Sequence, residues 1–116
     1  MRSKFLLAFA FVLVTGSAAF AAATGDQIRA AISDSTVQGN MEGSGPYAEY
    51  YAPDGTIKGS GYAGQWSVEG DAMCFAYQDT PKECWNVEIS GDQLRWLKNG
   101  ASQGTGTILR GNVNGF

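Results

Sequence analysis

Histidine is absent from all 116 residues. Its absence removes the commonest general base, every His-dependent nucleophilic triad and every imidazole metal ligand. The two cysteines are too few for a disulfide-dense scaffold, and they lack the Cys-x-x-Cys spacing of a redox pair. Charged residues make up only 16% of the chain, against 44% hydrophobic ones, which excludes a disordered acidic tail. One long apolar run exists, at residues 5–14. As a helix it would rise about 15 Å, against roughly 30 Å of hydrocarbon in a bilayer, so it does not read as a membrane anchor. What the chain does have is glycine, 16 residues, and aromatics, 12%.

The apolar run is preceded by Arg2 and Lys4 and closed by small residues in A-x-A spacing around Ala19 and Ala21. That pattern is a secretory signal peptide over residues 1–21, with cleavage after Ala21 or, as a second choice, after Ala23. No cysteine follows the cleavage region, so a lipid anchor has no attachment point. Residues 22–116 are then a single β-rich domain, periplasmic or secreted, in an oxidising space. Losing Arg2 and Lys4 moves the net charge from −3 to −5. Such a surface repels phosphate backbones and anionic headgroups and favours cationic partners. Nucleic acid is not an expected partner; a basic protein such as a cell-wall hydrolase is.

Thr24-Gly25-Asp26-Gln27 has the capping-box pattern, and Ile28, Ala31 and Ile32 recur on one side of the helix it opens, over about residues 25–33. Two turns of helix do not stand alone in water. This one must dock on a sheet as a plug or lid.

An internal repeat follows, Trp66-Ser67-Val68-Glu69-Gly70-Asp71-Ala72-Met73-Cys74-Phe75 against Val87-Glu88-Ile89-Ser90-Gly91-Asp92-Gln93-Leu94-Arg95-Trp96. Strict alternation on both sides of Gly-Asp reads as two strands joined by a tight turn, with glycine supplying the positive φ. Two-residue turns set Val68 opposite Met73 and Trp66 opposite Phe75, then Ile89 opposite Leu94 and Val87 opposite Trp96. Between them lies a third hairpin with a polar tip. Pairing Cys74 with Cys84 there places Met73 opposite Trp85, so all three hairpins share one apolar face and both sulfurs lie on the other. We expect a Cys74–Cys84 disulfide, contributing about 2.5 to 3 kcal/mol by closing an eleven-residue loop.

Ala52-Pro53-Asp54-Gly55 is a further turn between strands at residues 47–51 and 56–61. Asn99-Gly100 joins strands at 94–98 and 105–109, and residues 36–41 form an opening strand. About eight short antiparallel strands leave exposed edges unless the sheet closes. The expected architecture is mainly all-β, a small up-and-down barrel or curled meander with one short N-terminal helix. Strands of about five to seven residues fall short of the nine to eleven that a membrane barrel needs, and no membrane span is expected.

Carboxylate pairs, Glu49 with Asp54 and Glu69 with Asp71, could act as acid and base, but Asp54, Asp71 and Asp92 are explained as turn residues. A domain this small also offers little room for a supported catalytic pocket. The chain therefore reads as a non-enzyme without catalytic residues, cofactor or metal. Two segments, Gly43-Ser44-Gly45-Pro46-Tyr47-Ala48 and Gly59-Ser60-Gly61-Tyr62-Ala63, carry Gly-Ser-Gly followed by Tyr-Ala, a composition suited to protein recognition. Ser44, Tyr47, Tyr50, Ser60 and Tyr62 are the expected binding residues, with Tyr47, Tyr50, Tyr51 and Tyr62 as an exposed aromatic patch. The competing reading is that these residues shape a barrel bend and cover its mouth.

The segments 51–56 and 64–75, with Cys84-Trp85, resemble a family of small exported bacterial proteins of unknown function, across about half the mature chain. In plan, a small acidic barrel with one disulfide and Ser-Gly-Tyr segments is similar to periplasmic inhibitors of lysozyme. Those inhibitors carry Ser-Gly-x-x-Tyr on a loop; Ser44-Gly45-Pro46-Tyr47 is one residue shorter and Ser60-Gly61-Tyr62 two shorter. That resemblance implies an inhibitor or modulator of a cell-wall hydrolase. Gly64-Gln65-Trp66 resembles the Gly-x-Trp of calycin-type barrels, which implies a small-ligand carrier instead. An interior filled by Trp66, Phe75, Trp85 and Trp96 would leave a carrier no room; an apolar cavity would favour one.

Overall fold

The two Gly-Asp turns form as the alternation requires. Gly70 and Gly91 adopt φ of 59° and 60°, the mirror-image turn conformation that follows the twist of paired strands. A computed structural model describes residues 21–116; the expected signal segment lies, up to residue 20, outside the described residues. The elements are β1 (Ala21–Ala22), α1 (Gly25–Ile32), β2 (Ser35–Met41), β3 (Gly45–Tyr51), β4 (Thr56–Gly59), β5 (Tyr62–Glu69), β6 (Ala72–Tyr77), β7 (Glu83–Ser90), β8 (Gln93–Lys98) and β9 (Ala101–Arg110).

Strands β2 to β9 pair in chain order, antiparallel throughout, and β9 pairs back onto β2 from Ser35↔Arg110 to Met41↔Gly104. The meander is thus a closed eight-stranded barrel. The ninth strand, β1, continues the edge of β7 beyond the end of β6, through Ala21↔Ile89 and Ala22↔Glu88. The expected registers hold: Trp66↔Phe75, Val68↔Met73, Cys74↔Cys84, Met73↔Trp85, Val87↔Trp96 and Ile89↔Leu94. The Cys74–Cys84 disulfide is formed, on the outer face.

Alternation turns one side of every strand inward. Val37, Tyr51, Ile57, Trp66, Met73, Val87, Leu94 and Trp96 meet there in one core. Outward positions carry Gln38, Asn40, Lys58, Gln65, Glu88 and Arg95, polar groups where a lipid-facing barrel needs an apolar band. Among the described residues no helix is long and apolar enough to cross a membrane.

The helix is the plug. Its capping box is complete, with Thr24 Oγ1 accepting from the Gln27 amide and Gln27 Oε1 from the Thr24 amide. Ile28 and Ile32 are fully buried in the barrel core. Asp71 Oδ1 accepts from the Gly25 amide (2.9 Å), and the Arg110 guanidinium donates to the Ala30 carbonyl (3.0 Å) at the other helix end. Both Gly-Asp turns and the 52–55 turn therefore lie at the plugged end, and the β2–β3, β4–β5, β6–β7 and β8–β9 connections lie at the other.

Candidate functional site

Along β3 the inward positions are Tyr47, Glu49 and Tyr51, and Tyr50 lies on the opposite face. This overturns the expected exposed patch. Tyr51 is 2% exposed and sits in the core, and Tyr50, 9% exposed, donates its hydroxyl proton to Asp34 Oδ1 (2.6 Å). Two adjacent tyrosines on one strand cannot share a face. Tyr62 alone of the four is strongly exposed.

At the open end the core aromatics do not fill the interior. A cavity of about 340 Å³ lies between the walls, lined by the rings of Tyr47, Tyr62, Phe75, Tyr77, Trp85 and Trp96. Met41, Ser44, Pro46, Glu49, Tyr51 and Glu83 complete its wall. Of the expected binding residues, Ser44, Tyr47 and Tyr62 line it; Ser60 lies in the β4–β5 turn at the same end, and Tyr50 is outside.

Glycines make the walls thin where rings must lie. Gly59 is paired with Tyr62 and Gly64 with Tyr77 across neighbouring strands. A Cβ on Gly59 would overlap the Tyr62 ring, and one on Gly64 would come within 2.7 Å of the Tyr77 ring. Both rings thereby reach Glu49: Tyr62 donates to Oε1 (2.9 Å), and Tyr77 donates a shared proton to Oε1 and Oε2 (2.9 Å each). The two rings meet edge to face, centroids 6.0 Å apart. Further in, Phe75, Trp85 and Trp96 form a triangle of ring contacts between 5.4 and 6.4 Å. Trp96 Nε1 donates to the Tyr47 hydroxyl (2.8 Å), whose own proton goes to the Thr105 carbonyl (3.0 Å).

Two polar groups at this cavity are incompletely matched. Among the described residues no lysine or arginine pairs with Glu49, whereas Glu83 is engaged by Lys98 (3.1 Å). The buried Trp85 Nε1 has no acceptor among the described residues.

The site also shifts its tyrosines. Burial, opposed by the Trp96 bond and helped by the Glu49 charge, pushes the Tyr47 hydroxyl up to about 12. Burial first, and then the Glu49 charge and hydrogen bond, raise Tyr62 and Tyr77. Burial raises Tyr51, and the bond to Asp34 raises Tyr50. A folded-state value above the unfolded one means stability is complete below the unfolded value and lost as pH rises through the folded one. Near pH 10, where an unfolded chain would have about half its tyrosines ionised, the native protein is therefore expected to show almost no phenolate absorbance. Stability should fall from about pH 10 upward, read as a falling urea midpoint; a native titration with the unfolded midpoint would contradict this placement of the hydroxyls.

The acid–base pairs expected as alternatives are not assembled. Glu49 is inside the barrel, whereas Asp54 Oδ1 closes its own turn on the Thr56 amide (2.9 Å). Asp71 ties down the helix, and Glu69 lies outside, paired with Lys82 (2.9 Å) beside the disulfide. Glu69, Cys74 and Cys84 come within 4.8 Å of one another, but sulfurs bonded to each other offer no thiolate to a metal. Sequence reasoning missed Tyr77 and Glu83 and read Glu49 only as an acid–base partner. Tyr77 shares the inward parity of Met73 and Phe75, so extending that alternation two residues would have found it.

Comparison of the chain with protein-family models, with curated proteins and with solved structures returns no match, and the site is read on its own chemistry.

Proposed function

We propose that this is a non-enzymatic binding protein of the exported space, periplasmic or secreted, whose barrel mouth holds one small ligand. The observation that carries the reading is the cavity of about 340 Å³, within the size range of small-molecule sites and walled by aromatic rings that surround the Glu49 and Glu83 carboxylates. The disulfide fits an oxidising compartment. The hydrolase-inhibitor reading rests on the −5 charge and the Gly-Ser-Gly-Tyr loops, and draws less support because Tyr50, one of its expected binding residues, is buried.

Phenethyl alcohol, a neutral probe that matches the cavity in size and carries one oxygen, tests the reading. Titration is expected to change tryptophan fluorescence saturably and to raise the melting temperature, since a ligand at a hundred times its Kd stabilises by about 2.7 kcal/mol. An unchanged spectrum and melting temperature with the alcohol and with its amine and carboxylate analogues alike would remove the small-ligand reading. Inhibition of lysozyme at micromolar protein would then favour the inhibitor.

A further inference from the structure

Resting on the reading of this cavity as a ligand site, we propose that its ligand is a small organic cation, an ammonium group held by the Glu49 carboxylate and the rings of Tyr62 and Tyr77 with an apolar body against Phe75, Trp85 and Trp96. Glu49 is the reason. It projects into an aromatic cavity where the hydroxyls of Tyr62 and Tyr77 donate to it and Tyr51 lies beside it, and among the described residues no cation pairs with it. Tyrosine hydroxyls are uncharged donors, so the hydrogen bonds they give Glu49 leave its negative charge without a counter-charge.

The rings suit the same charge. Aromatic faces carry negative quadrupole density and attract ammonium groups within about 6 Å, most strongly where water is excluded. Tyr62 and Tyr77 are fixed by their hydrogen bonds to Glu49 and by the glycines beneath them, so the ring–carboxylate arrangement is preformed. Glu83, at the same cavity, adds negative charge partly offset by Lys98. The charge of −5 on residues 22–116 draws cations toward the mouth. An anionic ligand would meet Glu49 with nothing to neutralise it. A neutral one would leave the charge of the carboxylate unbalanced.

Three probes of one skeleton separate these cases: phenethylamine, phenethyl alcohol and phenylacetate, titrated at neutral pH and followed by tryptophan fluorescence. The amine is expected to bind about tenfold more tightly than the alcohol, the difference of one charge-assisted hydrogen bond, and phenylacetate more weakly than either. Glu49→Gln should abolish the preference for the amine over the alcohol; a tenfold preference that survives in the folded variant overturns the proposal. Equal or tighter binding of the alcohol by the unaltered protein overturns the proposal and leaves the ligand-site reading intact, whatever the folding of the variant. Binding of none of the three overturns both.

Discussion

Replacing Trp96 with alanine is expected to cost about 3 to 5 kcal/mol, the range for a large aromatic removed from a packed interior. Trp96 is 2% exposed and stands opposite Val87 on β7 and Gly104 on β9, where the last hairpin meets the closing seam. Its ring meets those of Phe75 (5.4 Å) and Trp85 (6.4 Å), so the substitution removes two aromatic contacts as well as buried area. It also removes the donor to the Tyr47 hydroxyl, which keeps its bond to the Thr105 carbonyl and so is not left unpaired. The void opens directly into the cavity, where water can enter, which places the cost nearer the lower end of the range. The urea midpoint should fall by more than about 1 M at the slopes typical of small domains. A change of a few tenths of a molar would mean that this ring is not the keystone of the upper core.

Replacing Cys74 and Cys84 together by alanine is expected to cost about 2.5 to 3 kcal/mol, most of it through the freedom regained by the unfolded chain. The bridge spans a sequence separation of 10 and lies on the outer face, while the opposing inward pair, Met73 and Trp85, keeps its position by core packing. Folded variant protein should therefore bind phenethyl alcohol as the native protein does, although it melts at lower temperature. Loss of probe binding at a temperature where the variant is still folded would show that the staple shapes the cavity wall, contrary to its placement outside. Trp96 and the disulfide thus separate two kinds of stability: one removal should disturb the site along with the fold, the other the fold alone.

What the sequence made legible follows from how local the information is. Alternation of period two flanking Gly-Asp fixes partner and face together, so the registers of β5 to β8, the bridge included, were readable from residues close in the chain. The Asn99-Gly100 turn was equally readable, with both residues at positive φ, 51° and 78°, although the strand after it begins at Ala101 and not at residue 105. The seam that closes the barrel was harder, because β2 and β9 meet across the whole length of the domain with no turn to mark them. Its signature is glycine read in the wrong role. Gly39 and Gly106 face each other in mid-strand, and a Cβ on Gly39 would strike the Thr105 carbonyl. They permit a close approach of backbones where a count of glycines suggested turns.

The cavity was obscured for a related reason. Gly59 and Gly64 belonged, on paper, to loop-like and calycin-like segments, yet each clears space for a tyrosine on the neighbouring strand. Tyr47 and Tyr62 were singled out in an outward sense, whereas their inward parity with Glu49 and Tyr77 places them on the cavity wall. Arg110, which ties the plug helix to β9, left no signal in the sequence because its partners, two backbone carbonyls and the Ser35 hydroxyl, lie far away along the chain.

The three tryptophans offer the most direct test of the claim that the barrel mouth binds a small ligand. Trp85 and Trp96 line the cavity, whereas Trp66 sits toward the plugged end with its indole N–H donated to the Ala52 carbonyl (2.9 Å). In a proton–nitrogen correlation spectrum recorded during titration with phenethyl alcohol, the indole signals of Trp85 and Trp96 should shift saturably with one binding constant while that of Trp66 stays in place. Three unmoved indole signals, or three that drift together without saturation, would contradict it.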